Sequence, residues 1–372
     1  MMDRILVSGG FGFIGRNVVR ELLDRGYKIS VIDSLIDQVH GAGLDRCLEW
    51  TRDVEFFHAD IRDRDRLLRV LDGCGGVVHL AAEVGVGQSM YEIERYTAGN
   101  DLATAALLEA LIEKPVRRIV TASSMSVYGE GLYHDREGKV VENARRVISG
   151  EGQREWNPVD SQGYPLTPIE TPEWKRPTLS SIYALGKYFQ EQATHIAAGA
   201  YGIESVCLRL FNVYGPGQAL SNPYTGVLAN FASRLACGEA PMIFEDGRQR
   251  RDFVHVRDVA RAFADALELP QAAGGTFNIG SGVDRSIRDV ARDLGKAMGR
   301  EAIQSDIVGR ARAGDIRHCF CDLTLARETL GFEPREDFIP GLAELAQWVA
   351  GQTVQDRSTD ARRELEQRGL VA

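Results

Sequence analysis

The sequence lacks several features that define whole classes of protein. No apolar run reaches the roughly 20 residues needed to cross a bilayer, and the N-terminus leads directly into a strand, so we expect no membrane partner and no signal peptide. The six cysteines are scattered without a CxxC pair, which favours reduced thiols in the cytoplasm. The seven histidines show no HxH or HExxH spacing, so no metal site is predicted. The net charge of −9 disfavours nucleic acid as a partner.

The 372 residues are enough for two domains, or for one large domain with a lobe. Short apolar runs alternate with helical stretches in the first third of the chain, and the apolar runs are RILVSGG, YKISVID, VEFFHAD, GVVHLAA and RRIVTASS. This alternation predicts βαβ units and a parallel sheet with helices on both faces. We therefore predict an α/β fold: a Rossmann, doubly wound parallel sheet with a smaller mixed α/β domain for the substrate.

A glycine-rich turn opens the chain. In SGGFGFIG, Gly9, Gly12 and Gly15 lie between a strand and a helix, with Phe13 and Ile14 at the start of that helix. Glycine allows a tight turn and a close approach of the backbone to a pyrophosphate. The N-terminus of the following helix supplies free N–H groups and positive partial charge. The turn and its strand–helix context predict a dinucleotide site.

Acidic residues end the second and third strands. Asp33 follows Gly15 by 18 residues, where a carboxylate accepts hydrogen bonds from a ribose and repels a 2′-phosphate. This position favours NAD over NADP and disfavours a net reductase that uses NADPH. Asp60 and Ile61 close the third strand, where we expect them to meet the adenine.

Three polar residues form the predicted catalytic set. Tyr183 and Lys187 are four residues apart on a predicted helix and therefore share a face. A phenol has a pKa near 10, and a nearby ammonium and a positive nicotinamide ring are expected to lower it. Tyr183 would then take a proton from a carbinol while its carbon gives up a hydride. Ser124, in the strand end TASSMSVYG, is expected to hold the same oxygen.

These residues belong to a series of segments that resembles the extended short-chain dehydrogenase/reductase family of nucleotide-sugar epimerases and dehydratases. The resemblance covers about residues 3–350 and is carried by GGFGFIG, HADIRD, HLAAEVGVGQS, SSMSVYGEG, YALGK, RLFNVYGPG, RRDFVHVRDVA and FNIGSG. It implies tightly held NAD and a dTDP- or UDP-linked nucleotide-diphosphate sugar as substrate. It also implies a homodimer built from two helices per subunit, over about 97–113 and 183–199.

The resemblance implies further cofactor contacts. Tyr183 and Lys187 would touch NAD as well as the substrate. Leu80, Ala81 and Ala82 would lie along the cofactor after the fourth strand, and Asn100 would lie near the active-site helix.

The same resemblance implies substrate contacts. Asn212 would hold the sugar or the diphosphate, and Val227 would pack near the nucleotide base. Arg251 and Arg317 would face the diphosphate, because a guanidinium meets phosphate oxygens in pairs.

The residues after the fifth strand bear on the reaction. Where this chain has Met125 and Ser126, the 4,6-dehydratases of the family carry an Asp-Glu acid–base pair, and the decarboxylases carry a Glu at the second position. Without those carboxylates, the resemblance implies epimerisation at C4 through a transient 4-keto sugar. The amino-acid sequences of the loops are most similar to those of the branch that acts on dTDP-L-rhamnose and yields the 6-deoxy-L-talose sugar. The alternatives are 4-epimerisation of a UDP-hexose or UDP-uronate, and a dTDP-sugar 4,6-dehydratase.

We divide the chain accordingly. The NAD-binding Rossmann domain is expected over 1–210, with 131–178 as a long irregular insertion and about 252–282 returning to the sheet. The nucleotide-sugar-binding domain is expected over 211–251 and 283–350, and 351–372 is expected to be a charged tail on the surface.

Overall fold

In the computed structural model, the described residues are 3–40, 52–146, 156–220, 222–224 and 226–371. Their strands are β1 Arg4–Ser8, β2 Lys28–Asp33, β3 Val54–His58, β4 Gly76–His79, β5 Arg118–Ser124, β6 Leu132–His134, β7 Val140–Val141, β8 Thr167–Ile169, β9 Glu204–Leu210, β10 Asn212–Tyr214, β11 Met242–Ile243, β12 Arg250–His255, β13 Thr276–Ile279, β14 Asp284–Ser286, β15 Asp306–Ile307 and β16 His318–Cys319.

The α-helices of the described residues are α1 Phe13–Asp24, α2 Asp37–His40, α3 Arg64–Val70, α4 Val86–Ser89, α5 Ile93–Tyr96, α6 Ala103–Glu113, α7 Ile182–Ala200, α8 Val227–Ala236, α9 Val256–Glu268, α10 Ile287–Ala297, α11 Thr324–Leu330, α12 Phe338–Ala350 and α13 Ser358–Gln367. A π-helical turn, Thr97–Leu102, joins α5 to α6, and 3-10 turns cover Met125–Tyr128 and Pro270–Ala272.

A seven-stranded sheet forms the larger domain, in the order β13-β9-β5-β4-β1-β2-β3. All of its neighbouring strands are parallel. Apolar side chains of α1 and α9 pack on one face, and those of α3, α6 and α7 pack on the other. The direction of winding changes between β1 and β4, which is where a doubly wound sheet opens a crevice at its carboxyl edge. The predicted fold class is confirmed.

The return of the chain to the large sheet begins later than expected. Strand β13 is its edge strand, and α9 packs against α1. Strand β12, by contrast, lies in the smaller sheet, parallel to β10 and β16 and antiparallel to β14. The core of the smaller domain brings α8, α10 and α12 together around Phe231, Leu294 and Leu345.

The 131–178 insertion is more regular than its sequence suggests. Strands β7, β6 and β8 form a small antiparallel sheet over a core of Tyr133, Ala144 and Leu166. Residues 147–155 of the insertion lie outside the described part of the chain. The high polar content hid these strands, because each is only two or three residues long.

The charged C-terminal segment contains a helix that packs on the molecule with one face. Helix α13 buries Ser358, Ala361 and Leu365 against the body of the molecule. Small or apolar residues at this spacing give a charged helix one face that packs.

No helix among the described residues is both long enough and apolar enough to cross a membrane. Helix α7, with 19 residues, shows why length alone is insufficient, because its buried side includes Lys187, Gln190 and Glu191.

Candidate active site

A cavity of about 730 Å³ opens at the carboxyl edge of the large sheet and extends to the smaller domain. Its lining includes these residues predicted to form the site: Gly9, Gly12, Phe13, Ile14, Gly15, Asp33, Asp60, Ile61, Leu80, Ala81, Ala82, Ser124, Tyr183, Lys187, Asn212, Val227 and Arg251. Residues from the turn after β1 to strand β12 thus converge on one space, which is large enough for a drug-sized or larger ligand. The structure does not bring Asn100 and Arg317 into this lining.

The turn between β1 and α1 has no room for side chains at two of its glycines. Gly9 has φ +69°, and a Cβ there would lie 2.9 Å from the backbone nitrogen of Ala81. A Cβ at Gly15 would lie 2.2 Å from the Gly9 carbonyl oxygen. Helix α1 begins at Phe13 directly behind this turn. The bare backbone and the helix N-terminus together form a cradle that fits a pyrophosphate.

Asp33 is held as a carboxylate at the end of β2. Its oxygens accept hydrogen bonds from the backbone N–H groups of Phe11 and Leu35, both at 3.0 Å, and His40 Nε2 lies 3.4 Å from Oδ1. Burial acts to raise the pKa of Asp33, but the bonds from His40 and the two amides outweigh it and the pKa is lowered. The carboxylate therefore presents negative charge to the cavity. The sequence analysis missed His40, which lies only seven residues from Asp33.

Asp60 is also ionised at the rim of the same cavity. The side chain of Arg62 donates to both of its oxygens, at 2.9 and 2.6 Å, and this contact lowers the pKa of Asp60. Leu80, Ala81 and Ala82 follow β4 without regular secondary structure and line the cavity next to the glycine turn. The small side chains of Ala81 and Ala82 leave the space open beside this turn.

Hydroxyl groups connect β5 to α7. The side chain of Ser124 interacts with that of Tyr183 and acts to lower the pKa of the phenol. Ser124 Oγ also accepts from the hydroxyl of Ser126 at 3.0 Å and from its backbone N–H at 3.2 Å. On the next turn of α7, Lys187 Nζ donates to the Ala122 carbonyl at 3.0 Å. The structure thus brings the predicted Ser-Tyr-Lys set together on one wall of the cavity.

Burial dominates the acidity of this set. It raises the pKa of Tyr183 to about 12, although the interaction with Ser124 acts in the opposite direction. It lowers the pKa of Lys187 to about 8. The expected lowering of the phenol pKa by the ammonium together with a positive nicotinamide ring stays a prediction. A further positive charge beside Tyr183 is needed before its phenol can act as a base near neutral pH.

Asn100 has a supporting place behind the cavity. It is buried in the π-helical turn, where its Oδ1 accepts from the backbone N–H of Glu83 at 2.7 Å and its Nδ2 donates to the Glu83 carbonyl at 3.2 Å. The expectation that Asn100 contacts the cofactor is not met by this geometry. Instead, Asn100 fixes the backbone of Glu83, whose side chain pairs with Arg95 in the cavity wall. A π-turn supplies the local widening that lets a side chain reach back in this way.

Arg317 is buried among acids rather than facing the cavity. Only 1% of it is exposed. Its guanidinium donates to Glu245 at 2.8 Å, to Asp246 at 2.6 and 3.0 Å, and to Asn157 at 2.9 Å. A buried cation needs such compensation, and these partners take four of the five N–H donors of the guanidinium. The expectation that Arg317 faces the diphosphate is therefore corrected.

Arg251 lines the cavity, but most of its guanidinium is used by the backbone. Nη1 donates to the carbonyls of Arg250 and Arg317, at 2.9 and 3.0 Å, and Nη2 donates to the carbonyl of Ile316. Burial lowers the pKa of Arg251. Its charge still contributes to the potential of the cavity, while its donors hold the loop before β16.

Three amide oxygens of the smaller domain lie at the cavity without partners among the described residues. In the described part of the chain, the buried oxygens Asn212 Oδ1, Gln218 Oε1 and Gln249 Oε1 have no hydrogen-bond partner, and all three residues line the cavity. An unsatisfied buried oxygen costs about 1–3 kcal/mol. Three of them in one wall indicate a polar ligand that donates hydroxyl or N–H groups.

The sequence analysis missed several residues of the lining. They include the cations Arg312 before β16 and Arg362 on α13. Apolar side chains accompany Val227 at the same end, namely Leu228, Phe231, Met242, Ile243 and Phe244. Arg312 lies within the charged loop GRARAGDIR, in which one arginine is hard to distinguish from another by sequence.

Among the described residues, no group of three or more His, Cys, Asp or Glu side chains is placed to hold a metal ion.

A parallel sheet with a glycine cradle, a carboxylate at the end of β2 and a Ser-Tyr-Lys wall defines a dinucleotide-binding α/β enzyme. The model of the NAD dependent epimerase/dehydratase family matches residues 5–146 and 159–280. The chain is 36% identical over 352 residues to the dTDP-L-rhamnose 4-epimerase of Burkholderia thailandensis. The alignment covers 93% of this chain and 95% of that protein.

Solved structures agree with this match. The UDP-glucose 4-epimerase of Thermotoga maritima with UDP-glucose gives a TM-score of 0.75 at 29% identity, over 93% of this chain and 98% of that one. The UDP-glucose 4-epimerase of Thermus thermophilus in complex with NAD gives 0.74 at 28% identity, over 94% and 100%. The chain belongs to the NAD dependent epimerase/dehydratase family, and it is an epimerase-type enzyme with NAD as its cofactor.

Proposed function

We propose that the chain is a nucleotide-sugar 4-epimerase that interconverts dTDP-L-rhamnose and the dTDP-6-deoxy-L-talose sugar through a transient 4-keto intermediate. The observation that carries the reaction type is the hydroxyl wall at Ser124 and Tyr183, next to which Met125 and Ser126 supply no carboxylate. Similarity over 93% of the chain to a dTDP-L-rhamnose 4-epimerase supports this choice of sugar.

The proposed chemistry at C4 needs one proton acceptor. NAD, when bound on the glycine cradle, accepts a hydride from the sugar and returns it, and its ring carries positive charge. Tyr183 takes the proton of the C4 hydroxyl and gives it back after the 4-keto sugar has turned over. Ser124 donates to the same oxygen and keeps it beside Tyr183. Lys187 adds positive charge on the same helix face, and its burial strengthens that effect.

Elimination of water would require more than this wall contains. A 4,6-dehydratase needs an acid and a base for C5 and C6 in addition to the tyrosine. Met125 cannot transfer a proton, and the Ser126 hydroxyl is engaged with Ser124. Glu83, a carboxylate of the cavity lining that follows β4 in the sequence, is paired with Arg95. These contacts favour epimerisation over dehydration.

The nucleotide part of the substrate fits the smaller-domain end of the cavity. Apolar side chains from Val227 to Phe231 offer a surface for a pyrimidine base, and Asn212 offers its free amide oxygen. In place of Arg317, we assign the diphosphate to Arg312, which lines the cavity and is 41% exposed in its side chain.

We also propose that two subunits pair through α6 and α7. Helix α7 packs on α6 and on the π-helical turn, and the outer surface of this unit carries exposed apolar side chains, namely Leu102, Ile112, Leu185, Phe189 and Ile196. Ile196 is 71% exposed, which is unusual for a residue of that size. An apolar stripe of this length is typical of a helix that is covered by a second copy.

Incubation with dTDP-L-rhamnose, dTDP-glucose, UDP-glucose and UDP-glucuronate, followed by NMR of the C4 configuration, tests the proposal. We expect inversion at C4 of dTDP-L-rhamnose without net consumption of NAD. Turnover of the UDP-sugars alone would identify the alternative substrate class. Conversion of dTDP-glucose into a 4-keto-6-deoxy product would replace the epimerase proposal with a dehydratase.

A further inference from the structure

Helix α13 closes one end of the cavity with a single face. Ser358, Ala361, Arg362 and Leu365 all contribute to the lining. Their spacing of three, four and seven residues places them on one side of an α-helix. The opposite side carries Arg363, which is 66% exposed in its side chain. The C-terminal helix is therefore a wall of the site.

This wall is anchored to the larger domain. A Cβ at Gly87 would lie 3.4 Å from Leu365 Cδ1, so the leucine packs directly on α4. Glu364 Oε2 accepts hydrogen bonds from the hydroxyls of Tyr91 and Tyr224, at 3.2 and 3.4 Å. Because Tyr91 precedes α5 and Tyr224 precedes α8, one carboxylate ties the helix to both domains.

The ends of the segment are anchored to the smaller domain. Arg234 on α8 donates to Asp356 at 3.0 Å and to the hydroxyl of Ser358 at 2.8 Å. Beyond the helix, the Leu370 carbonyl accepts from the Ala313 backbone N–H at 2.8 Å. These contacts hold α13 in place and set it beside the loop that carries Arg312.

Arg362 is the charged member of the lining face. Its Nε donates to Glu366 at 2.9 Å, one turn further along α13. Its Nη1 lies 3.7 Å from the sulfur of Met242, and a thioether is a weak acceptor. The side chain is 28% exposed, and that exposed part belongs to the cavity wall. The guanidinium therefore keeps donor capacity for a ligand.

The neighbouring cations indicate the chemical class of this ligand. Arg312 stacks over Phe244 at 4.5 Å and pairs with Asp315. Arg251 makes three hydrogen bonds to backbone carbonyls, so it contributes mainly its charge. Three arginines thus line one end of a cavity in a chain of net charge −9. Concentrated positive charge of this kind fits an anion with several oxygens.

We propose that Arg362 is a further substrate-binding residue, which contacts the diphosphate of a nucleotide sugar from the C-terminal helix, together with Arg312. The inference rests on the proposed function, because it needs a substrate of that chemical class. Arg362 binds and does not take part in the chemistry at C4. Its loss therefore raises KM and leaves kcat nearly unchanged.

Binding measured by calorimetry on the NAD-containing enzyme tests this role. A hydrogen-bonded charge contact is worth on the order of tenfold to a hundredfold in affinity, so Arg362→Gln should weaken dTDP binding by about that factor. Arg362→Lys should recover part of the loss. Arg363→Gln, on the outer side of the same helix, should bind dTDP as the wild type does. Thymidine, which has no phosphate, should bind the wild type and Arg362→Gln with equal affinity.

A second variant keeps the test independent of the folding of Arg362→Gln. Glu366→Gln removes the acid that competes for Arg362, so dTDP should bind at least as tightly as to the wild type. Unchanged dTDP affinity in Arg362→Gln would overturn the inference, as would an equal loss for thymidine. If the wild type bound neither dTDP nor UDP while retaining NAD, the proposed function itself would fail, and the inference with it.

Discussion

The hydroxyl of Ser126 donates to the hydroxyl of Ser124 at 3.0 Å, and the side chain of Ser124 interacts in turn with Tyr183. A serine thus stands where the resemblance places a carboxylate in the dehydratases, and it orients the residue that we propose to hold the reacting oxygen. Without the Ser126 hydroxyl, Ser124 Oγ would keep only the hydrogen bond from the backbone N–H of residue 126 and its interaction with Tyr183.

Ser126→Ala should therefore reduce kcat by about two- to tenfold, the usual worth of one neutral hydrogen bond. Ser126→Thr keeps the hydroxyl and should restore most of the rate. Steady-state kinetics with NMR detection of the C4 epimer measures both. Equal rates for the wild type and Ser126→Ala would show that Ser124 needs no such support.

Tyr183→Phe should keep NAD bound and lose most turnover, because it removes the proton acceptor alone. The loss expected for a positioned general base is on the order of a hundredfold to ten-thousandfold. Tyr188→Phe is a matched control on the same helix, since that ring packs against the core. Near-wild-type activity of Tyr183→Phe would mean that another group takes the proton.

Asp33→Asn should weaken NAD binding by about tenfold and reduce the discrimination against NADP. The amide keeps the size of the side chain but loses the charge that opposes a 2′-phosphate. Asp37→Asn, on the exposed side of α2, should change neither affinity. Titration of cofactor-free protein with NAD and with NADP, followed by calorimetry, gives the two dissociation constants. An unchanged NAD/NADP ratio would place ribose recognition elsewhere.

The buried ammonium of Lys187 should make folding stability depend on pH. Burial lowers its pKa from 10.5 to about 8, so between these values the unfolded chain holds more protons and stability rises with pH. A shift of this size corresponds to about 3 kcal/mol. Relative to Lys187→Met, cofactor-free wild type should gain roughly that amount between pH 8 and 10.5. If the free energy of unfolding measured with urea differed between the wild type and Lys187→Met by the same amount at every pH, the predicted effect of the buried ammonium would be contradicted.

Ile196→Glu should shift the protein from dimer to monomer, because a carboxylate cannot be buried between paired helices without a partner. Light scattering after size exclusion measures the mass in solution. Val140→Glu, an exposed apolar position on β7, is the control that should leave the mass unchanged. A monomeric wild type would remove the proposed interface.

Local sequence was sufficient where short range decides the structure. The turn at Gly9 and Gly15 is recognisable from the spacing of glycines between a strand and a helix, and the shared face of Tyr183 and Lys187 follows from helix geometry. Both could be predicted from spacing alone. The sequence also predicted that this turn and this helix face lie at the same edge of the sheet, because parallel strands end at a common edge.

Long-range pairing set the limit of prediction. Arg317 is neutralised by Glu245 and Asp246, more than 70 residues away in the chain. Nothing in the local sequence distinguishes it from Arg312, which reaches the cavity. Helix α13 was missed as part of the site for a related reason, since its composition is charged and only its contacts with Gly87 and Arg234 reveal a packed face.

The division of α7 into two sides limits which changes this helix tolerates. Tyr183 and Lys187 point to the cavity, whereas Phe189 and Ile196 are exposed. Inserting or deleting one residue after Lys187 would rotate everything beyond it by about 100°. Such a length change would alter the angle between the apolar side of α7 and the side that carries Tyr183 and Lys187. A point substitution on one of these sides leaves the other side in place.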